Sequence, residues 1–409
     1  MRDGRTFDAA LEDAAGSLED ADRRLAHEIA AGVLRSRSEL DGSLAPLVER
    51  PWRRVEDDLK DLLRFGAYQL LRLNRVPPHG AVGATVEAAK LVRGEKSAGF
   101  VNAVLRRMAR ELGRADRHDE PGEPATASVA ALAQRHSHPE WLVARWVSRF
   151  GTARTEALLI HNNRRPYIFL QAARWTPERL REALRGAGVA VEAAPLEAGL
   201  AVRGGSVRAL PGYEEGGFIV QDPAQALALR FADLPAGALV WDACAAPGGK
   251  AAILARRCRV VASDLGLDRL RRLADTVRRA SPSVRVMAAD ASAPPFAAGR
   301  LDVVLVDAPC SATGTIAKHP DARWRLRPAQ ITRLASQQEA LLRGVANVVR
   351  PGGRLVYMTC SLEREENELQ VETFLEIHPA FRRECEDLFV FPPDAGTDGA
   401  FAARLVRTG

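Results

Sequence analysis

The sequence predicts a multidomain protein in which an all-α N-terminal domain and a small α+β domain precede an α/β doubly wound domain. Three patterns predict this order. Apolar residues recur at helical spacing through residues 25–112, short strands surround one helix within 166–204, and strands alternate with helices from 218 onward. We place the domains at residues 1–125, 126–216 and 217–409.

The composition is that of a soluble globular chain with no membrane-spanning segment. Of its 409 residues 46% are hydrophobic, and they form no long apolar run. The charged N-terminal stretch MRDGRTFDAALED lacks a secretory signal pattern. Five scattered cysteines without C-x-x-C spacing favour a reducing cytoplasm and argue against a zinc site, so no metal is expected. The net charge of +6 suits a polyanionic partner, although excess arginine can also reflect coding bias.

The N-terminal domain is predicted from helical stripes of apolar residues. Leu25, Ile29 and Val33 lie four apart, and residues 101–112 carry another stripe. Two interpretations stay open for basic residues on the exposed faces, which either contact phosphates or line solvated helix surfaces: Arg72, Arg75, Lys90, Arg93, Lys96, Arg106, Arg107 and Arg110.

The middle domain follows a polar stretch at 114–126 whose Pro and Gly content is typical of a linker. Helices resume at 127, and Pro139 lies in the first turn of one of them. Short strands are then predicted at 166–172 and 199–204, around a helix at 176–188.

The C-terminal domain is predicted to contain five parallel strands at 239–241, 260–263, 284–287, 303–306 and 354–358. Two later strands, at 388–391 and 402–406, come close together in the sequence. We expect them to form an antiparallel pair at the edge of the sheet.

The stretch LVWDACAAPGGK at 239–250 predicts a buried strand that enters a glycine turn and then a helix. Glycine lets the backbone approach a ligand, and the helix presents free amide hydrogens and the positive end of its dipole. This pattern is typical of a nucleotide loop, but it also fits an ordinary turn between a strand and a helix. A small side chain is required within this loop, so we expect Cys244 to have a packing role.

Each parallel strand ends in a polar residue, and ligands bind beyond the carboxyl ends of such strands. Asp264 is placed to bind both hydroxyls of a ribose, or else it caps a helix, and Asp290 offers a second contact, to an adenine. The strand-end residues are Asp242, Asp264, Asp290, Asp307 and the Thr359-Cys360-Ser361 segment.

Two of the cysteines, Cys310 and Cys360, directly follow strand ends. A thiol at the mouth of a ligand crevice, near a lysine, is suited to be a nucleophile with a lowered pKa. Cys258 and Cys385 have no such context and are expected to be structural.

Several motifs together resemble the RNA cytosine-C5 methyltransferase family of the Sun/Fmu type. They are VQDPAQ at 220–225, WDACAAPGGK at 241–250, VDAPCSATG at 306–314, HPDARW at 319–324 and TCSLEREENE at 359–368. The stretch from RDGRTFDAAL to GFVNAVLRR at 99–107 resembles the NusB-like RNA-binding domain of one bacterial branch of that family. The resemblance therefore spans nearly the full chain and implies a Rossmann-like catalytic domain.

The resemblance implies S-adenosylmethionine as the cofactor and two catalytic thiols. Cys360 would attack C6 of the cytosine, Cys310 would assist release of the adduct, and Asp307 would hydrogen-bond the N3 edge of the base. DNA cytosine methyltransferases use the cysteine of their Pro-Cys motif instead, which here is Cys310. Lys250 would reach the substrate or Asp307, or would merely begin a helix. The implied cofactor-binding residues are Cys244, Ala245, Ala246, Pro247, Gly248, Gly249, Lys250, Asp264, Asp290 and Asp307.

The implied substrate is a cytosine in 16S rRNA, with tRNA as one alternative and a non-enzymatic NusB-like RNA-binding factor as another. The base must leave its stack to be reached, which favours a single-stranded or loop region. A basic and aromatic flank for that strand, or a solvated loop, is expected at Arg323, Trp324, Arg325 and Arg327. We expect a monomeric, cytoplasmic protein.

Three positions depart from the family pattern. Ala312 replaces a glycine after Pro-Cys-Ser, Ala317-Lys318 replaces an arginine pair, and Arg364 replaces a proline. These changes are expected to alter loop rigidity more than chemistry. The first helix usual in the NusB-like fold is not expected, because the N-terminal stretch is short.

Overall fold

The computed structural model describes residues 6–112 and 128–408. The chain divides into two compact units, Met1–Arg164 with His319–Arg325, and Arg165–Lys318 with Leu326–Gly409. The predicted linker at 114–126 lies outside the described residues. None of the helices in the two described stretches is long and apolar enough to cross a membrane.

The first unit is helical throughout its described residues. Its helices are α1 (Phe7–Ala15), α2 (Asp20–Arg35), α3 (Arg37–Leu44), α4 (Asp57–Arg72), α5 (Pro78–Arg93), α6 (Glu95–Leu112), α7 (Val129–Arg135), α8 (Glu140–Phe150), α9 (Thr152–Asn163) and the short α14 (Ala322–Arg325). Helix α1 corrects the expectation that no helix would precede the first apolar stripe. Thr6 caps it, accepting a hydrogen bond from the Ala9 amide at 3.3 Å.

The predicted apolar stripes form the core of this unit, with one exception. Val33 and the stripe of α6 are buried, and Val101 and Leu105 have no exposed surface. Gly66 on α4 is needed here, because a Cβ atom would lie 2.3 Å from Cδ1 of Leu105. Leu25, predicted to be a core residue, is instead 45% exposed, because it lies on the outer face of α2.

The segment His319–Arg325 belongs to the helical unit although it comes from the second half of the sequence. Arg323 has no exposed surface. Its guanidinium donates hydrogen bonds to Oδ1 of Asn163 at 2.6 Å, to the Asn162 carbonyl at 2.9 Å and to the Ser137 carbonyl at 3.2 Å. Burial lowers the pKa of Arg323 to about 9.

These contacts correct the expectation that Arg323 and Trp324 flank an RNA strand or lie in a solvated loop. The Trp324 indole donates to the Leu34 carbonyl at 2.7 Å, and the guanidinium of Arg37 lies 5.1 Å from its ring centroid. Arg325 pairs with the buried Asp321 at 3.0 Å. Sequence alone did not distinguish a basic surface segment from a segment whose side chains donate hydrogen bonds to carbonyl groups of another part of the chain.

The second unit contains a small antiparallel sheet in the strand order β2-β3-β1-β4. Its elements are β1 (Ile168–Ala172), α10 (Pro177–Gly186), β2 (Val191–Ala193), β3 (Leu200–Val202) and β4 (Phe218–Val220). Strands β1 and β3 and helix α10 were predicted. Strands β2 and β4 were missed, although β3, which is also three residues long, was predicted.

The large sheet of the second unit has the strand order β10-β12-β9-β8-β5-β6-β7, with β11 paired to β12. Strands β5 to β9 are parallel, and β12 is antiparallel to β9. The strands are β5 (Leu239–Asp242), β6 (Arg259–Asp264), β7 (Arg285–Ala288), β8 (Leu301–Asp307), β9 (Val349–Thr359), β10 (Phe381–Arg383), β11 (Leu388–Val390) and β12 (Ala400–Arg407). The helices are α11 (Pro223–Phe231), α12 (Gly249–Leu254), α13 (Leu267–Ala280), α15 (Pro328–Ala346), α16 (Glu368–Ile377) and α17 (Pro392–Ala395).

Both faces of this sheet are buried, as expected of a doubly wound domain. Along β5, Val240 packs into one apolar cluster and Trp241 into another, and neither has exposed surface. The late strands do pair with each other, in an antiparallel register. The expectation that both lie at the edge is wrong for β12, which lies between β9 and β10.

Candidate active site

The turn after β5 brings backbone amides to the carboxyl end of the sheet. The Ala245 amide donates to the Ser263 carbonyl at 2.8 Å, which ties the turn to β6, and the Gly248 amide donates to the Ala245 carbonyl at 2.7 Å. Gly248 has φ 105°, and a Cβ atom there would lie 2.9 Å from Cδ1 of Leu273. Glycine is therefore required at 248, and the turn keeps the shape from which α12 begins.

Asp242, at the end of β5, has no exposed surface. Neither of its carboxylate oxygens has a hydrogen-bond partner among the described residues. Burial, followed by the negative charge of Asp307, raises the pKa of Asp242 to about 8. A buried acid without a donor is costly, so the Asp242 carboxyl is suited to hydrogen-bond a polar group that is not part of the chain.

Cys244 lies in the same turn and is buried. Burial, with the nearby charge of Asp242, raises the pKa of its thiol. A thiol of this kind is a poor nucleophile, which agrees with a role in packing.

Asp264 and Asp290 follow the next two strands. Asp264 accepts a hydrogen bond from the Leu265 amide at 2.9 Å and pairs with Arg269 at 3.0 Å. Helix α13 begins with Gly266 at its N-cap, so Asp264 stabilises the turn before the helix and is not its capping residue. Asp290 is exposed, and its Oδ1 accepts from both the amide and the hydroxyl of Ser292.

Lys250, in the first turn of α12, reaches the end of β8. Its Nζ donates to Oδ2 of Asp307 at 2.7 Å. Burial works against the charge of Lys250, but the Asp307 carboxylate outweighs it and the pKa of Lys250 is raised. The sequence left open whether Lys250 reaches the substrate, reaches Asp307 or merely begins a helix. In the structure its side chain contacts Asp307.

Cys310 and Cys360, at the ends of neighbouring strands, lie with their sulfur atoms 3.4 Å apart. Both side chains are partly buried. The hydrogen bond with Cys310, together with burial, raises the pKa of Cys360 well above its usual range, and the positive charge of Lys250 opposes this rise. The expectation of a nucleophile with a lowered pKa is therefore wrong for Cys360 in this state, because a second thiol and burial outweigh the lysine.

A backbone hydrogen bond joins the loop after β8, which contains Cys310, to the loop after β9, which contains Cys360. We call these the two thiol loops. The Gly314 amide donates to the Cys360 carbonyl at 3.0 Å, and a Cβ atom at Gly314 would lie 2.6 Å from that carbonyl oxygen. Ala312, where the resemblance led us to expect a glycine, adopts the left-handed conformation with φ 56°. The loop therefore keeps the glycine-type backbone with a residue that is strained in it.

Lys318, where the resemblance led us to expect an arginine, lies in an acidic cluster of the second unit. Its Nζ contacts Asp398 at 2.8 Å and also pairs with Asp222. Burial opposes the charge of Lys318, but the Asp398 and Asp222 carboxylates raise its pKa. The substituted lysine therefore ties the VQDPAQ motif to the loop before β12.

Sequence reasoning missed Glu366, which is fully buried beneath the thiol loops. It accepts hydrogen bonds from the amide and hydroxyl of Ser311, from the hydroxyl of Ser361 and from the side chain of Gln338. The motif TCSLEREENE contains several acids, and the sequence pattern did not single out one of them as buried.

The arrangement combines a backbone turn for a ligand, a lysine–aspartate pair and two adjacent thiols. The described residues contain no group of three or more His, Cys, Asp or Glu side chains that could hold a metal ion. Nucleophilic addition by a thiol, next to a bound polar ligand, is the chemistry that these groups support.

Three family models match the chain in succession. Residues 1–110 match the NusB family, residues 138–206 match the ferredoxin-like domain of RsmF/B-like methyltransferases, and residues 229–406 match 16S rRNA methyltransferase RsmB/F. The matched ranges follow the order of the three domains expected from the sequence.

Curated relatives match over the full length. Ribosomal RNA small subunit methyltransferase B of Vibrio vulnificus is 33% identical over 422 residues, which covers 99% of this chain and 96% of that protein. The protein of the same name from Vibrio cholerae is 34% identical over 417 residues, covering 99% and 94%.

Solved structures share the fold. The crystal structure of PH0851 superposes with a TM-score of 0.80 at 26% identity, covering 97% of this chain and 93% of that one. The structure of NSun6 from Pyrococcus horikoshii with SFG gives a TM-score of 0.57 at 20% identity, covering 66% of this chain and 98% of that one.

Proposed function

We propose that this chain, which belongs to the ribosomal RNA small subunit methyltransferase B family, methylates C5 of a cytosine in 16S rRNA through a covalent adduct on Cys360. It is an S-adenosylmethionine-dependent methyltransferase that acts on RNA. The observation that carries the proposed chemistry is the 3.4 Å contact between the sulfur atoms of Cys310 and Cys360, beside the Lys250–Asp307 pair.

The polar groups at the carboxyl end of the sheet match the chemical groups of S-adenosylmethionine. S-adenosylmethionine supplies a methyl group on a sulfonium and carries an ammonium and a ribose with two hydroxyls. The unpartnered buried oxygens of Asp242 suit a cationic donor, and the two glycines of the turn, Gly248 and Gly249, let a ligand approach the backbone closely. Asp264 and Asp290 lie at the ends of the next strands, where we propose that they hold the ribose and the adenine.

Cytosine needs covalent activation because its C5 is a weak nucleophile. The Cys360 thiolate adds to C6, and the ring becomes an enamine whose C5 would take the methyl group as the bond between that methyl and the cofactor's sulfonium sulfur breaks, leaving a neutral thioether. The C5 proton then leaves to a base, the C5–C6 double bond re-forms, and the thiolate is expelled. Lys250 stabilises negative charge at Cys360, since its ammonium opposes the raised pKa of that thiol. Asp307 is proposed to hold the N3 edge of the base.

The two thiols are proposed to have different tasks, and their variants separate them. We expect Cys360→Ala to abolish both adduct and product, lowering methyl transfer by about 10⁴-fold or more, because the nucleophile is gone. Cys310→Ala should instead allow a covalent enzyme–RNA adduct to accumulate, since release is impaired. Denaturing gels of enzyme with labelled RNA detect the adduct, and transfer of labelled methyl groups measures product.

Cys385→Ala is the matched control for these variants, because Cys385 is a partly buried thiol outside the site that contacts Arg404. It should react like the wild type. The opposite pattern, with adduct accumulating in Cys360→Ala and lost in Cys310→Ala, would assign the nucleophile to Cys310, as in DNA cytosine methyltransferases.

The substrate assignment is tested by methyl-transfer assays on unmodified 16S rRNA and unmodified tRNA. Bisulfite sequencing of rRNA from a deletion strain then locates the target. Methylation of 16S rRNA alone supports the proposal, methylation of tRNA alone favours the same chemistry on another substrate, and transfer to neither RNA favours a non-enzymatic RNA-binding factor. A cytoplasmic, monomeric protein with domains at 1–125, 126–216 and 217–409 is part of the proposal.

A further inference from the structure

The two catalytic thiols lie beyond the part of the sheet that could fix their separation. Strands β8 and β9 are parallel neighbours, and their pairing runs as far as Asp307 opposite Met358. The Ala308 amide adds one more bond, to the Met358 carbonyl at 2.9 Å. Cys310 and Cys360 both follow this last ladder bond, so contacts outside the ladder set the distance between their loops. Two of these contacts join the loops directly: the Gly314 amide donates to the Cys360 carbonyl at 3.0 Å, and the Leu362 amide donates to Oγ1 of Thr313 at 2.9 Å.

Glu366 supplies contacts to both loops. Its Oε1 accepts from the Ser311 amide at 2.8 Å, and its Oε2 accepts from the Ser361 hydroxyl at 2.5 Å and from the Ser311 hydroxyl. Ser311 directly follows Cys310, and Ser361 directly follows Cys360. One carboxylate therefore holds the residue next to each thiol.

A third element completes the arrangement. Gln338, on α15, donates to Oε1 of Glu366 at 3.1 Å and to the Pro309 carbonyl at 2.9 Å. Gln338 and Glu366 are both fully buried. The helix therefore braces the same carboxylate and the residue before Cys310.

The burial of Glu366 is costly unless its charge is satisfied. Among the described residues no lysine, arginine or histidine forms a salt bridge with it. Burial raises the pKa of Glu366, and hydrogen bonds from Ser311, Ser361 and Gln338 oppose this rise. A buried acid that is satisfied only by donors from two loops and a helix fixes those elements relative to one another, because each donor that moves leaves the carboxylate less solvated.

We infer that Glu366 is a positioning residue that sets the separation of the Cys310 and Cys360 sulfur atoms, acting through Ser311 and Ser361. Its catalytic consequence rests on the proposed function, because only thiol chemistry makes that separation matter. None of the residues proposed to hold the cofactor hydrogen-bonds Glu366, so cofactor affinity should not depend on it.

The kinetic test compares Glu366→Ala with Glu366→Gln. Glu366→Ala removes the acceptor that the Ser311 amide, the two serine hydroxyls and Gln338 share, and we expect the rate of methyl transfer at saturating RNA and cofactor to fall about 100-fold, as for a displaced reacting group. Glu366→Gln keeps the shape, and the hydroxyls can rotate to accept from its amide, so the fall should be about tenfold or less. Glu376→Ala, which removes an exposed acid from α16, is the matched control.

Cofactor affinity separates positioning from general damage. The dissociation constant for S-adenosylmethionine, measured by calorimetry, should change by less than about twofold in both Glu366 variants, since the turn after β5 is intact. Rate loss accompanied by an equal loss of cofactor affinity, or a Glu366→Ala rate within about threefold of wild type, contradicts the inference.

A second test reads the sulfur separation without RNA. Dibromobimane becomes fluorescent when it bridges two nearby thiols, and Cys310→Ser supplies the background. The bridging rate should fall about tenfold or more in Glu366→Ala, because the effective concentration of one thiol at the other falls. The rate should be near that of wild type in Glu366→Gln. Equal bridging in wild type and Glu366→Ala contradicts the inference even if methyl transfer is lost.

The serines test whether Glu366 acts through them. The double variant Ser311→Ala with Ser361→Ala removes both hydroxyl donors but keeps the Ser311 amide and Gln338 bonds to Glu366, so its losses in methyl transfer and bridging should be smaller than those of Glu366→Ala. Adding the serine changes to Glu366→Ala should cause no further loss. Additive losses contradict the inference. If the wild-type protein methylates no RNA but the bridging rates follow the predicted order, the proposed function fails and the positioning role of Glu366 stands.

Discussion

The turn after β5 and the two thiol loops meet at the same end of the sheet, and each contains or covers a buried acid. The two acids differ in whether the chain supplies hydrogen-bond donors to them. Asp242 in the turn has two buried oxygens without a partner among the described residues. Glu366, beneath the thiol loops, is surrounded by donors from Ser311, Ser361 and Gln338. The difference indicates that the turn awaits polar groups from a ligand, whereas the chain itself completes the thiol loops before any ligand arrives.

Lys250 links the two regions, and its removal should have the largest effect among the variants that follow. Lys250→Met leaves the Asp307 carboxylate without its 2.7 Å partner and removes the positive charge that favours a Cys360 thiolate. We expect single-turnover methyl transfer to fall about 100-fold or more, as when one preorganised electrostatic group is lost. Quenched-flow assays with labelled cofactor measure this rate.

Arg271→Met serves as the control, because Arg271 forms an exposed ion pair with Asp268 on α13. That variant should behave like the wild type, since exposed pairs contribute little. If Lys250→Met keeps methyl transfer within about threefold of the wild-type rate, the lysine does not link the two regions.

Asp242 should make the stability of the protein depend on pH. Its pKa is raised from 3.8 to about 8 in the folded chain, so the folded state keeps a proton that the unfolded state releases. The free energy of unfolding should therefore fall as the pH rises from 3.8 to about 8, by up to about 1.4 kcal/mol per pH unit. The asparagine of Asp242→Asn does not titrate. The free energy of unfolding of this variant should therefore fall less than that of the wild type between pH 5 and pH 8, a range that lies between the ordinary pKa of 3.8 and the raised pKa of about 8.

Urea unfolding at several pH values measures this difference. Asp268→Asn, which replaces an exposed acid whose side chain is 88% exposed, should keep the wild-type slope. Parallel pH profiles for the wild type and Asp242→Asn would show that the turn does not hold a protonated acid, and the contrast with Glu366 would disappear.

The smallest effect is expected at Ala312, in the thiol loops. Its φ of 56° is unfavourable for alanine, and Ala312→Gly should raise the free energy of unfolding by about 1 kcal/mol. Ala317→Gly, at a residue of the same loop without positive φ, should lower it by about 0.5–1 kcal/mol. A lower urea midpoint for Ala312→Gly would mean that the loop does not store strain at this residue.

Much of the fold was predictable because long apolar patterns survive in the sequence. Strands β5, β6 and β8 are buried on both faces and therefore read as continuous apolar runs. The three-residue strands β2, β4 and β10 were missed, whereas the equally short β3 and β11 were predicted, because three residues carry so little pattern that such strands are recognised in some cases and not in others. The position of β12 inside the sheet was also missed, since order within a sheet depends on contacts distant in the sequence.

The candidate site was predicted where chemistry depends on residue type at strand ends. Cys310 and Cys360 were placed together, and their sulfur atoms lie 3.4 Å apart. Burial was not predictable in the same way. Arg323 looked like an RNA contact and is instead enclosed in the helical unit, and Glu366 looked like one acid among several and is instead the acceptor common to two loops.

The nature of the covalent adduct tests the central claim most directly. RNA that carries 5-fluorocytosine at the target has no proton to lose from C5, so the methylated adduct persists and its peptide can be identified by mass spectrometry. The proposed chemistry predicts that the RNA fragment is attached to the sulfur of Cys360. Attachment to Cys310, or methylated RNA without any trapped adduct, would contradict it.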